Sequence, residues 1–68
     1  MPNLYTAAAV LSFLSASELD ARIEALELEA GVAGDLDAVA ICRRALAGSK
    51  RARRTCAGWI ADAAASAV

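Results

Sequence analysis

The chain has 68 residues with seven Lys or Arg against eight Asp or Glu, a net charge of −1, no histidine and two cysteines. That length allows one domain over residues 1–68, which buries only about 60% of the surface its unfolded chain exposes. Near-zero net charge excludes a global field for nucleic acid or membrane, and the lack of histidine removes the commonest general base and metal ligand. Apolar residues make up 59% of the chain, but with one Phe, one Tyr and one Trp the core must rely on close, alanine-lined helix contacts.

Met1 to Leu14 carries Leu4, Tyr5, Val10, Leu11, Phe13 and Leu14 around the whole circumference of a helix. A helix apolar all round is expected to be buried. The alternative is the apolar part of a secretory signal with Ser15 to Ser17 as cleavage site. No Lys or Arg precedes it, so a core helix and a cytoplasmic protein are the expectation. The stretch is also far short of the ~20 residues that span a bilayer.

Ser15 and Glu18 have capping-box spacing, which starts a second helix, and Leu14 and Leu19 flank the cap as a hydrophobic staple. Leu19, Ile23, Leu26 and Ala30 form its apolar stripe, and Gly31 or Gly34 ends it. The polar side of this helix holds an acidic ridge of Asp20, Glu24 and Glu27. A second ridge holds Glu18, Arg22 and Glu29, with Glu18 and Arg22 as an i,i+4 pair. Leu28 lies between the ridges and is either covered by the first helix or open to a partner.

From Asp35, a capping candidate, Ala38, Val39, Ile41, Cys42, Ala45 and Leu46 share one helical face that stops at Gly48. After Ser49, the next cap, Ala52, Cys56, Trp59, Ile60, Ala63 and Ala67 recur at spacings of three and four. Two helices folded back about Gly48 and Ser49 pair residues at equal distance from the turn: Leu46 with Ala52, Cys42 with Cys56, Val39 with Trp59. The expected fold is all-α, a small bundle of three to four helices with a C-terminal antiparallel helical hairpin. The two cysteines are expected as reduced core residues, the alternative being a disulfide clasp or redox switch.

Charge is divided into blocks. Seven of the eight acids lie between Glu18 and Asp37, and six of the seven bases between Arg43 and Arg54. The plain reading is two solvated faces that attract each other across the fold. Lys50, Arg51, Arg53 and Arg54 fit it poorly, because the first turns of a helix disfavour cations by roughly 0.3–1 kcal/mol each. They call for acids from the second helix, for a nucleic-acid phosphate or for a protein partner.

Enzymatic chemistry finds no footing. Two cysteines without histidine fall short of a zinc site, Gly31, Gly34, Gly48 and Gly58 do not make a phosphate-binding loop, and no spacing sets two carboxylates apart in pKa. No catalytic residue, cofactor or metal ligand is expected.

Two stretches, GVAGDLDAVAICRRALAG and CAGWIADAAA, resemble a helix pair that recurs in short proteins of phages, plasmids and GC-rich bacterial genomes. The resemblance covers Gly31 to Ala65 and brings no catalytic motif. It implies a mobile-element origin and an inhibitor of the anti-CRISPR kind, which blocks a host nucleic-acid-binding complex by occupancy. The expected partner is a protein, met by Asp20, Glu24, Glu27 and Leu28 or by the basic residues Arg43, Arg44, Lys50, Arg51, Arg53 and Arg54. The alternative is a small dimeric nucleic-acid-binding regulator that uses the basic hairpin. Against a helix-turn-helix reader, the stretch after Arg54 offers mainly Ala, Thr and Gly to base edges.

Overall fold

A computed structural model describes residues 3–67. They form four helices: α1 (Ala7–Phe13), α2 (Ala16–Ala33), α3 (Leu36–Leu46) and α4 (Lys50–Ser66). Each begins on a side chain that accepts from the third amide inside: Thr6 from Ala9, Ser15 from Glu18, Asp35 from Ala38 and Ser49 from Ala52. The capping box at Ser15 is complete, since the Ser15 amide also donates to Glu18 Oε1 at 3.0 Å. That bond, the Ser15 hydroxyl and the Arg22 charge hold the Glu18 carboxyl below its ordinary pKa.

The helices are joined by very short turns. At the end of α2, Gly34 takes φ 74°, its amide reaches the Gly31 carbonyl at 3.2 Å, and the Asp35 amide reaches the Ala30 carbonyl at 2.9 Å. This paired closure uses a left-handed residue that only glycine adopts without strain. The same device recurs at Gly48, φ 108°, where Gly48 donates to Ala45 and Ser49 to Arg44. In both turns the residue after the glycine closes one helix and caps the next. Gly34 therefore ends α2, and Gly31 lies inside it.

Short turns make chain neighbours pack antiparallel: α2 on α3, and α3 on α4. The fourth partner is not a chain neighbour, because α1 packs along α4. The core contains Val10, Leu19, Ile23, Cys42, Ala45, Ala52, Cys56, Ala57, Ile60 and Ala61, with Leu4, Leu14, Leu26, Ile41, Leu46 and Trp59 half-buried against it. Four of the ten are alanines, so the helices meet through small side chains as the composition requires.

Three expectations are corrected. The first helix is only two turns long and buries Val10, while Tyr5, Leu11 and Phe13 stay exposed, because it packs on α4 and no described residue covers its outer face. On α4, Ala63 and Ala67 are exposed and Ala57 and Ala61 are buried instead. With α1 packed beside it, α4 needs a second apolar stripe, which lies about 100° from the one facing α3. The pairing of Val39 with Trp59 also fails: Trp59 shares a hollow with Ala38 and Cys42, and Val39 turns towards Leu28, Gly31 and Val32 of α2. The expected part of Met1 to Leu14 at Met1 and Pro2 lies outside the described residues.

The pairing of Cys42 with Cys56 holds. Both are fully buried free thiols with Sγ atoms 4.0 Å apart, about twice the length of a disulfide bond. Burial pushes the Cys42 thiol up and, with Cys42 beside it, pushes the Cys56 thiol up to about 12. A thiol in that state is a poor nucleophile.

Two measurements check this account. Because the folded thiols ionise later than unfolded ones, their contribution to stability is complete below about pH 8.5 and is lost as pH rises towards the folded value. Denaturant melts should therefore show stability falling above about pH 8.5, with a flatter fall in the Cys42→Ala/Cys56→Ala variant, and thiol reagents should find both cysteines only after denaturation. The glycines separate as cleanly. Gly31→Ala should stabilise by about 0.5–1 kcal/mol as a helix-interior change, and Gly34→Ala should destabilise by about 1–2 kcal/mol because its φ is left-handed. Thermal melts of the two variants moving the same way would contradict the assignment of the helix end.

Candidate functional site

Among the described residues, no three His, Cys, Asp or Glu are grouped to hold a metal ion. No helix of the described chain is long and apolar enough to cross a membrane. The surface features that remain are the two charge blocks and the exposed apolar side chains.

Packing joins part of one block to part of the other. Arg53, four residues into α4, donates from Nη1 to Asp20 Oδ1 at 2.8 Å and to the Ala45 carbonyl at 3.0 Å. One guanidinium therefore links α4 to α2 and to the last turn of α3, where the carbonyl end of the helix dipole favours a cation and the Ala45 oxygen also accepts from the Gly48 amide. Arg43 donates from Nε to Glu27 Oε2 at 3.2 Å and ties α3 to α2. Of the acidic ridge, Asp20 and Glu27 thus have internal partners, and Glu24 has none among the described residues. This alters what the ridge can do: reversing Asp20, Glu24 and Glu27 together would break both interhelical pairs, so it cannot isolate binding from stability.

The basic block divides in the same way. Arg43 and Arg53 are engaged, whereas Arg44, Lys50, Arg51 and Arg54 are exposed with no carboxylate within 4.0 Å among the described residues. Arg44 and Arg51 line an open hollow of about 460 Å³ between α3 and α4, together with Ile41, Ala52, Ser49 and Thr55.

The apolar surface is more extensive than the sequence suggests. Leu28 is 74% exposed, which decides between the alternatives for it, and Val32 and Leu36 are exposed at 92% and 76%. Leu28 and Val32 stand one turn apart on α2 and line an open hollow with Gly31, Val39, Glu27 and Arg43. Leu36 lies on α3 one turn before Val39, on the same side as Arg43. Glu29 lines a second hollow with Leu28 and Val32, Glu24 stands one turn before Leu28, Asp37 follows Leu36, and none of the three has an ion-pair partner among the described residues. Val32 and Leu36 are absent from the expected site because they flank Gly34, where a helix end reads as a connector. Their signal is that two large aliphatics occur in a turn region that polar residues usually occupy.

Arg53 and Arg43 should behave differently on removal. The Arg53 side chain is only 21% exposed and makes two charged hydrogen bonds, so Arg53→Leu should cost about 1–2 kcal/mol, which lowers the melting temperature of a domain this size by about 4–16 °C. Arg43, at 73% exposure, should lose no more than about 0.5 kcal/mol as Arg43→Gln. Equal losses in thermal melts would refute the distinction.

Compared with known proteins, the chain matches no family model, no curated protein and no solved structure.

Proposed function

We propose that the chain is a non-enzymatic docking module that binds a protein partner through the α2–α3 face built on Leu28, Val32 and Leu36. The observation that carries this reading is the exposure of all three aliphatics, two of which, Leu28 and Val32, line a hollow that reaches half-buried Val39, one turn after Leu36. Scattered exposed apolar residues are ordinary, but a contiguous group with a polar rim is the surface pattern of an interaction site. Glu24, Glu29 and Asp37 form an acidic rim, so the fitting partner offers an apolar patch bordered by Lys or Arg. Such borders occur on proteins that handle nucleic acid. With the resemblance to small mobile-element proteins, this supports an inhibitor that blocks a host nucleic-acid-binding complex by occupancy, which requires no chemistry.

The test is Leu28→Ser/Val32→Ser, compared with the unaltered chain as bait in extract of the native host and as a sample for sedimentation. Both positions are solvated, so the melting temperature should change little, while partner capture should fall by about 30-fold or more, as for removal of a central apolar anchor. Capture of the same partner at the same strength would remove this face from the interface. A dimer of the unaltered chain that becomes monomeric in the variant would identify a second copy as the occupant.

A further inference from the structure

The cations of the α3–α4 end remain after the fold and the apolar face are accounted for. Lys50, Arg51 and Arg54 lie in the first five residues of α4, where the helix dipole opposes them, and each is exposed and unpaired among the described residues. Arg53 found an acid and a carbonyl in the packed structure. Its three neighbours did not, and Arg44 joins them at the hollow. Asp20, the acid that reaches this end, is already paired with Arg53, so it does little to cancel the charge of the other cations. Four cations within one short segment of surface act over a Debye length of about 8–10 Å, whatever the net charge of the whole chain.

We infer that Arg44, Lys50, Arg51 and Arg54 form a contact surface for the phosphate backbone of a duplex nucleic acid, read without regard to base sequence. Three of the four are arginines, whose planar forks match phosphate oxygens in pairs. An acidic protein segment fits less well. Tyr5, Leu11, Phe13, Leu28, Val32 and Leu36, the large apolar side chains exposed among the described residues, all lie in α1 or just before it, in α2 or at the opposite end of α3, which leaves this face without the anchor that protein interfaces centre on. Contacts to phosphate need no such anchor. A single strand fits less well too, because neither this hollow nor its rim holds an aromatic on which bases could stack. The side chains that line it, apart from the arginines, are Ile41, Ala52, Ser49 and Thr55, and the two hydroxyls already accept from Ala52 and donate to Arg51 within α4. Little is left to read a base edge. This surface is distinct from the α2–α3 face, so one chain carries a protein-facing and a phosphate-facing side.

Fluorescence anisotropy with a labelled mixed-sequence 20-base-pair DNA duplex tests the inference on the intact chain. Four phosphate contacts give a slope of log affinity against log salt of about −3.6, so binding seen at 50 mM salt should weaken about a hundredfold by 200 mM. A second duplex of unrelated sequence should bind within about twofold of the first. Arg44→Gln/Arg51→Gln/Arg54→Gln should lose tenfold or more at 50 mM and flatten the slope to about −1. Its melting temperature should change little, because Arg51 and Arg54 oppose the α4 dipole while Arg44 favours that of α3, in whose last turn it lies. Leu28→Ser/Val32→Ser should bind the duplex unchanged, so the two surfaces can fail separately. No binding at 50 mM salt, unchanged binding by the triple variant, loss in the Leu28→Ser/Val32→Ser variant, or polyglutamate competing as well as DNA at equal charge would overturn the inference.

Discussion

Arg53 meets α2, α3 and α4 at one point. Its guanidinium binds Asp20 on one side and the Ala45 carbonyl on the other, from a position where its charge alone opposes the dipole of the helix that carries it. With a core of alanines, two cysteines and few large side chains, dispersion contacts fix distances well but leave the helices able to slide. A two-sided charged hydrogen bond between three helices fixes their register. The Glu27 to Arg43 pair adds a second, more exposed link on the α2–α3 side.

Once these two pairs are made, the remaining charges fall into two territories. Glu24 and Glu29 share α2 with the exposed Leu28 and Val32, Asp37 follows the exposed Leu36 on α3, and Arg44 and Arg51 line the hollow at Ile41 and Ala52, with Lys50 and Arg54 in the same first turns of α4. The nearly neutral total conceals this separation. Opposite potentials on two sides of so small a body mean that each side repels what the other attracts.

What could be read from the chain was what depends on neighbours three to six residues apart. Ser15 with Glu18, Asp35 with Ala38 and Ser49 with Ala52 are local bonds, so helix starts were legible residue by residue. The meeting of Cys42 and Cys56 was legible too, because a hairpin with a short turn makes equal distance from the turn a fair measure of proximity. Asp20 and Arg53 are 33 residues apart, and their pairing depends on how two helices settle against a third, which no periodicity encodes. The burial of Ala57 and Ala61 in place of Ala63 and Ala67 has the same origin: α4 accommodates α1, and nothing in its own pattern names that partner. Val32 and Leu36 were hidden for the opposite reason, since the glycines around them signal a turn while α2 in fact continues through Gly31 to Ala33.

The packing of α1 along α4 gives the bundle a closing order. The pairs α2–α3 and α3–α4 join through turns of two or three residues and can form as soon as each helix leaves the ribosome, on the microsecond scale of local helix contacts. α1 is made first yet has its main surface on the helix made after the other two, some fifty residues later. Until α4 arrives, α1 lacks the helix on which it packs. α1 therefore keeps an open apolar flank until α4 is made, and docking of α4 closes the bundle in one step, so folding should be all-or-none despite the locality of its turns.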